Sequence, residues 1–266
     1  MNRKKAAVGT SSVSSVLTGT PMPPPELVKG KAPWNILSIS NPENVSVSNG
    51  EMVVKIKKGL HGLDSGGSFR ANPNKKLPAD SVTMSYEVFF PPELQWIKGG
   101  KLPGVCFGLS ESDCSTGGNW QPDSGSFRVM FRENGLAIGY SYMAIKGGAQ
   151  AAIDAQGAGY KDVVVATGDT GHDLWKKKQA GLQLVKGKWN TVTMDLKMNT
   201  PGQRDGKISL TVNGVNRTVS DTVFRQNAKV KFNNANVVSF FGGGSSEWNS
   251  PIDTAIKFRN FRFDAA

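Results

Sequence analysis

Two short alternations in the middle of the chain, Ser126-Phe127-Arg128 and Tyr140-Ser141-Tyr142, set a hydroxyl and a guanidinium, and then two phenols, two residues apart. In an extended strand such residues point to the same face, so each pair presents its polar groups together. An arginine fork grips a carboxylate in bidentate fashion. A phenol, which ordinarily titrates near 10, becomes a proton carrier when nearby cations lower its pKa. Lys101 can supply that field, or act as the base itself once desolvated. Gly99-Gly100 before it and Pro103-Gly104 after it let the backbone bend sharply and aim the ammonium across a sheet. These groups suit one kind of chemistry. A cation neutralises a carboxylate, a base removes the proton from the adjacent carbon, and an acid protonates the departing oxygen. No metal and no other cofactor is required.

The turn Glu133-Asn134-Gly135 decides whether the pairs meet. A two-residue Asn-Gly turn pairs Arg128 with Ser141 and sends the tyrosines to the opposite face. A three-residue loop, a type I turn ending in Gly135 at positive φ, pairs Arg128 with Tyr140 and Ser126 with Tyr142. Only the second register gathers all four side chains, and it is the one expected. Seen alone, Tyr-x-Tyr on a strand is more often packing, and an arginine beside it a cross-strand or cation–π partner.

The elements that must carry these residues are strands. Ser81–Val88 alternates with apolar residues on the even positions, and Met52–Lys57, Ser126–Arg132, Leu136–Met143, Thr191–Leu196, Lys207–Val212 and Lys257–Phe263 repeat the pattern between Gly, Pro and Asn clusters. Val212-Asn213-Gly214-Val215 is a two-residue hairpin signal. The stretch Leu174–Leu184 has room for only a turn or two of helix. This pattern predicts an all-β jelly-roll, a β-sandwich of two antiparallel sheets, over residues 34–266.

Residues 1–33 are basic at the tip and rich in Ser, Thr and Pro, with the break Pro21-Met22-Pro23-Pro24-Pro25. Such a stretch cannot bury enough apolar surface to fold alone, so it reads as a flexible arm with few contacts to its own domain, ordered only by neighbouring protein chains. MNRKK looks like a signal n-region, but the Ser/Thr-rich stretch after it is too polar for an apolar core, so no signal peptide is read. No run is apolar enough for a membrane span. The formal net charge of +11 favours a polyanionic partner: nucleic acid, an anionic membrane face or an acidic polysaccharide. The basic residues are dispersed and no nucleic-acid-binding motif appears, so nucleic acid is not expected. Cys106 and Cys114 can pair or stay reduced, with the balance towards reduced.

The blocks YEVFFPPELQWIKGGKLPGVCFG, CSTGGNW, SGSFRVMFRENGLAIGYSY, MNTPGQRDGKISLTVNG and FFGGGSSEWNSPIDTAIKFRNFRF follow one another over roughly residues 81–264. Their succession resembles polysaccharide lyase family 14, the alginate and glucuronan lyases of algal viruses and marine molluscs. The resemblance implies a jelly-roll whose concave face holds a uronate chain and cleaves it by β-elimination. The active residues it implies are Lys101, Ser126, Arg128, Tyr140 and Tyr142. The basic arm and the insert-like loop Lys146–Gly171 depart from the family pattern. A second reading, a non-catalytic jelly-roll in a virion or other assembly anchored by the arm, stays beside the enzyme reading.

Other candidates carry less. Trp120 and Trp248, in Gly/Ser-rich loops, can stack on sugars or pack at the rim. His61 and His172 have no ligand or triad spacing. Lys176-Lys177-Lys178 reads as a solvated charge run, and Gly242-Gly243-Gly244 lacks a phosphate-loop lysine.

Overall fold

The computed structural model describes residues 17–166, 170–176 and 181–266. The strands in its first half are β1 Ile36–Ser40, β2 Val45–Ser48, β3 Glu51–Ile56, β4 Gly67–Ala71, β5 Ser81–Phe89, β6 Gly100–Gly108, β7 Ser124–Phe131 and β8 Ala137–Tyr142. Then come β9 Val164–Val165, β10 His172–Leu174, β11 Trp189–Lys197, β12 Gly206–Val212, β13 Val215–Thr222, β14 Lys231–Phe241 and β15 Thr254–Ala265. They build two antiparallel sheets, β1-β4-β14-β6-β7-β8-β10-β9 and β13-β12-β11-β5-β15-β3-β2. The jelly-roll expected from the alternation is the fold.

Alternation sorts each strand between the two layers. In β7, Phe127, Val129 and Phe131 enter the core between the sheets, and Ser126, Arg128 and Met130 turn to the outer face of the eight-stranded sheet. Aromatic contacts knit the core: Phe131 meets Phe90 and Phe241 edge-on at 5.4 Å, and Tyr86 lies 5.9 Å from Phe258. Each such ring removes enough apolar area from water to contribute about 1.5–3 kcal/mol.

The turns follow their residues. Asn213 and Gly214 both take positive φ, and Val212 faces Val215 across a two-residue hairpin. The loop after Lys146 holds two short helices that the sequence pattern did not reveal, α1 Gly148–Asp154 and α2 Ala158–Val163. The weak helical stretch at 174–184 is not helical where it is described: Leu174 ends β10, and residues 177–180 lie outside the described residues.

The expected arm needs correcting in its second half. Met22 is buried in the core, its amide donates to Phe261 O at 2.7 Å, and Phe263 N donates to Thr20 O at 2.9 Å. Trp34 Nε1 donates to Pro23 O at 2.8 Å, and Thr20 Oγ1 to Asp264 Oδ1 at 2.6 Å. The cause lies at the sheet edge: β3 pairs with β15 only as far as Phe258, while β5 pairs with it on to Ala265. Beyond Phe258 the β3 side of β15 has backbone groups left to pair, and residues 20–22 supply partners for them. An extended proline-rich segment thus needs no core of its own when it lies on another. Residues 1–16 lie outside the described residues.

Candidate active site

The hairpin β7–β8 pairs Arg128 with Tyr140 and Ser126 with Tyr142, the expected register. The three-residue loop closes with Arg132 N donating to Leu136 O at 2.8 Å, and Gly135 has φ 77°. Asn134 is also left-handed, at φ 58°, so the turn is not the type I form expected. On the neighbouring strand Gly104 faces Arg128 and Lys101 faces Met130. A Cβ on Gly104 would stand 2.6 Å from Arg128 Cα, so only glycine lets the Arg128 strand lie so close.

The outer face therefore gathers Lys101, Arg128, Tyr140 and Met130. Lys101 Nζ sits 3.9 Å from the Tyr140 ring centroid and 2.8 Å from Met130 Sδ, and Arg128 Cζ lies 5.5 Å from the same ring. Lys101 and Arg128 are only 8% and 3% exposed, yet neither pairs with a carboxylate among the described residues. The buried carboxylate nearby, Asp173, is already shared: Arg132 Nη2 donates to its two oxygens at 2.6 and 2.7 Å, and Lys176 lies 3.1 Å away. Burial, with repulsion from Arg128 and Arg132, pushes the Lys101 pKa well below its usual value.

Each phenol oxygen receives a backbone amide, Gly171 N to Tyr140 at 2.9 Å and Gly118 N to Tyr142 at 2.8 Å, and the two oxygens are 3.1 Å apart. One proton serves the contact between them, which leaves the second O–H to be donated elsewhere. Tyr140 lines a cleft of about 740 Å³ together with Lys101, Met130, Arg132 and Trp248, whereas Tyr142 is fully buried. Burial raises the Tyr140 pKa, and Gly171 N–H and Arg128 only partly oppose it. Sequence reasoning expected cations to lower it; in the unliganded protein desolvation wins.

Ser126 is fully buried and donates to Ser115 O at 2.7 Å, away from the cleft. The cover is the loop between β6 and β7, tied down by a disulfide between Cys106 and Cys114. The pairing left open in the sequence is thus made, against the reduced form favoured there. Trp120 in this loop packs at a tilt against Tyr142 at 4.9 Å and His172 at 4.8 Å, and does not line the cleft. Trp248 does, with the Arg132 guanidinium 5.6 Å from its ring and Gly243 packed against it.

Beneath the sheet Ser141 Oγ, Tyr160 OH and His172 Nδ1 form a buried chain with contacts of 2.9 Å each, ending on Ala149 O, 3.0 Å from His172 Nε2. All bonds are satisfied by a neutral imidazole, and burial holds the His172 pKa down at about 4. This chain anchors β10 and so fixes Gly171, whose Cβ, were there one, would stand 2.8 Å from both Tyr140 and Tyr142. Met130 was readable in advance as the next member of the Ser126, Arg128 alternation; Asp173, Gly118 and Gly171 had no signal in the sequence. No group of three or more metal-ligating side chains occurs among the described residues, and none of their helices is long and apolar enough to cross a membrane.

The sequence model of the family described as polysaccharide lyase 14 matches residues 45–261. The protein named Exolysin from Paramecium bursaria Chlorella virus 1 is 23% identical over 239 residues, which is 82% of this chain and 35% of that protein. The chain thus spans about a third of that relative. Among solved structures, the marine PL-14 alginate lyase from Aplysia kurodai is 24% identical with a TM-score of 0.73, covering 87% of this chain and 90% of that one. The alginate lyase vAL-1 from Chlorella virus is 22% identical with a TM-score of 0.70, over 89% and 95%. At these identities the structures share the fold.

Proposed function

Because the chain belongs to polysaccharide lyase family 14, we propose that it cleaves an acidic, uronate-rich polysaccharide such as alginate or glucuronan by β-elimination. The observation that carries this reading is the Tyr140 phenol at the cleft, flanked by Lys101 and Arg128 with no carboxylate on either cation among the described residues. Two buried cations repel each other and cost stability, so their placement suits an anion brought by a ligand. The net charge of +11 draws a polyanion to the surface.

The steps follow from these groups. The substrate carboxylate lies against Arg128 and Lys101, which neutralise it, make the C5 proton acidic and restore the charged form of Lys101. Tyr140, as phenolate, takes the C5 proton. Gly171 N–H donates to its oxygen and, with the Arg128 charge, favours the anion. The C5–H electron pair forms the C4–C5 double bond, the C4–O bond breaks, and Tyr140 returns the proton to the departing glycosidic oxygen. Tyr142 and Ser126 are buried and hold the site's shape rather than touch the sugar. Trp248 offers an apolar face to a sugar ring at the cleft wall, a role Trp120 does not share.

The reading as an assembly component drew on an arm spanning residues 1–33, and the packing of residues 17–33 on their own sandwich withdraws much of its support. The test is to incubate the protein with alginate and with glucuronan and follow the ultraviolet absorbance of the unsaturated uronate that only elimination produces.

A further inference from the structure

One row of cross-strand neighbours runs over the open face of the eight-stranded sheet: Arg70 on β4 faces Asn236 on β14, which faces Gly104 on β6, then Arg128 and Tyr140. Their alternation places all of them on the outer side, since Phe69 and Ala71 beside Arg70 are in the core. Arg70 is half-buried and spends one donor, Nη1, on Ser112 O at 2.8 Å. Among the described residues it meets no carboxylate. Burial lowers its pKa, and its charge is close enough to act on Arg128.

A half-buried guanidinium without a counter-ion is costly unless a ligand supplies one. Arg70 and Arg128 stand three strand spacings apart, about 14 Å at roughly 4.8 Å each. Between them lie Asn236, whose side chain is buried, and Gly104, which has none, so no bulky side chain separates the two cations along the row. The loop of residues 110–114 walls one side: Glu111 O accepts from Asn234 Nδ2 at 3.0 Å, and Cys114 Sγ lies 3.8 Å from Asn236 Nδ2.

We propose that Arg70 is a second carboxylate-binding residue, on the sheet face beyond the cleft, holding a further uronate of the same chain whose reacting sugar lies at Arg128, so that the polymer crosses the strands along the row. This rests on the uronate-lyase reading above and adds to it a subsite and a direction of the chain. It implies that affinity grows with chain length because of Arg70, and only for chains that reach it. Arg70→Lys keeps the charge but loses the fork, and is expected to fall between wild type and Arg70→Gln.

The test measures binding of oligomannuronates and oligoglucuronates of two to six sugars by calorimetry, with Tyr140→Phe present throughout to prevent cleavage. Adding Arg70→Gln should weaken the longest oligomer about tenfold, the worth of one charge-assisted hydrogen bond. The shortest oligomer should change little, and a carboxyl-reduced oligomer should not distinguish the two proteins. Equal affinities at every length, or the same loss at every length, overturn the Arg70 subsite and leave the lyase reading standing. If the Tyr140→Phe protein binds no oligouronate while its melting transition is intact, both fall.

Discussion

Lys101 Nζ rests 3.9 Å from the centre of the Tyr140 ring, with Met130 Sδ 2.8 Å away and no carboxylate against it among the described residues. A buried ammonium held only by a π face and a thioether is poorly compensated. Lys101→Met should therefore leave the fold intact and raise its stability by about 1 kcal/mol, while lyase activity falls at least about a hundredfold. The sign with pH is also set. Because the folded pKa lies below the usual 10.5, the unfolded chain binds the extra proton in that window. Stability then rises with pH through the window, and denaturant titrations should show the slope in wild type and lose it in Lys101→Met.

Gly171 separates the two phenols, and any side chain there meets both rings. Gly171→Ala should displace Tyr140 and cut kcat at least about tenfold through misplacement, with a small loss of melting temperature. A variant of full activity would show that the amide at Tyr140 is dispensable.

The disulfide closes a loop with a sequence separation of 8 and carries Ser115 and Gly118 onto Ser126 and Tyr142. On loop length alone it contributes about 2.5 kcal/mol. Cys114→Ser should lower stability by that order and reduce activity, because the cover over Tyr142 loosens. Unfolding curves with and without reductant read the first effect, and initial rates the second.

His172 has its folded pKa at about 4 against 6.5 unfolded. The unfolded chain binds the extra proton between those values, so its contribution is complete above pH 6.5 and lost as pH falls towards 4. The full span is worth up to about 3 kcal/mol. The stability difference between wild type and His172→Asn should shrink by that order between pH 7 and pH 4.

Much of this arrangement was written in the sequence at the level of period and turn. The alternation through Ser126, Arg128, Tyr140 and Tyr142 gave the face, and Gly135 chose the register. What stayed hidden depends on contacts across long separations. That Ser126 and Tyr142 are roofed over follows from where a disulfide pulls a loop, which spacing does not reveal. That Tyr140 is raised rather than lowered follows from how deeply the ring is buried, a property of the packed fold. Residues 17–33 looked unstructured because composition reports whether a segment can fold alone, not whether the end of β3 leaves an edge of β15 for it to join.

The central claim is that Tyr140, between Lys101 and Arg128, carries out elimination on a uronate polymer. The most direct measurement is the ultraviolet absorbance of the unsaturated product formed from alginate and from glucuronan by wild type and by Tyr140→Phe, with melting curves for both. The account predicts rising absorbance with wild type on at least one polymer and a loss of at least about a hundredfold in Tyr140→Phe at nearly unchanged melting temperature. A folded wild type that yields no unsaturated product from either polymer, or a Tyr140→Phe protein that keeps most of the rate, contradicts it.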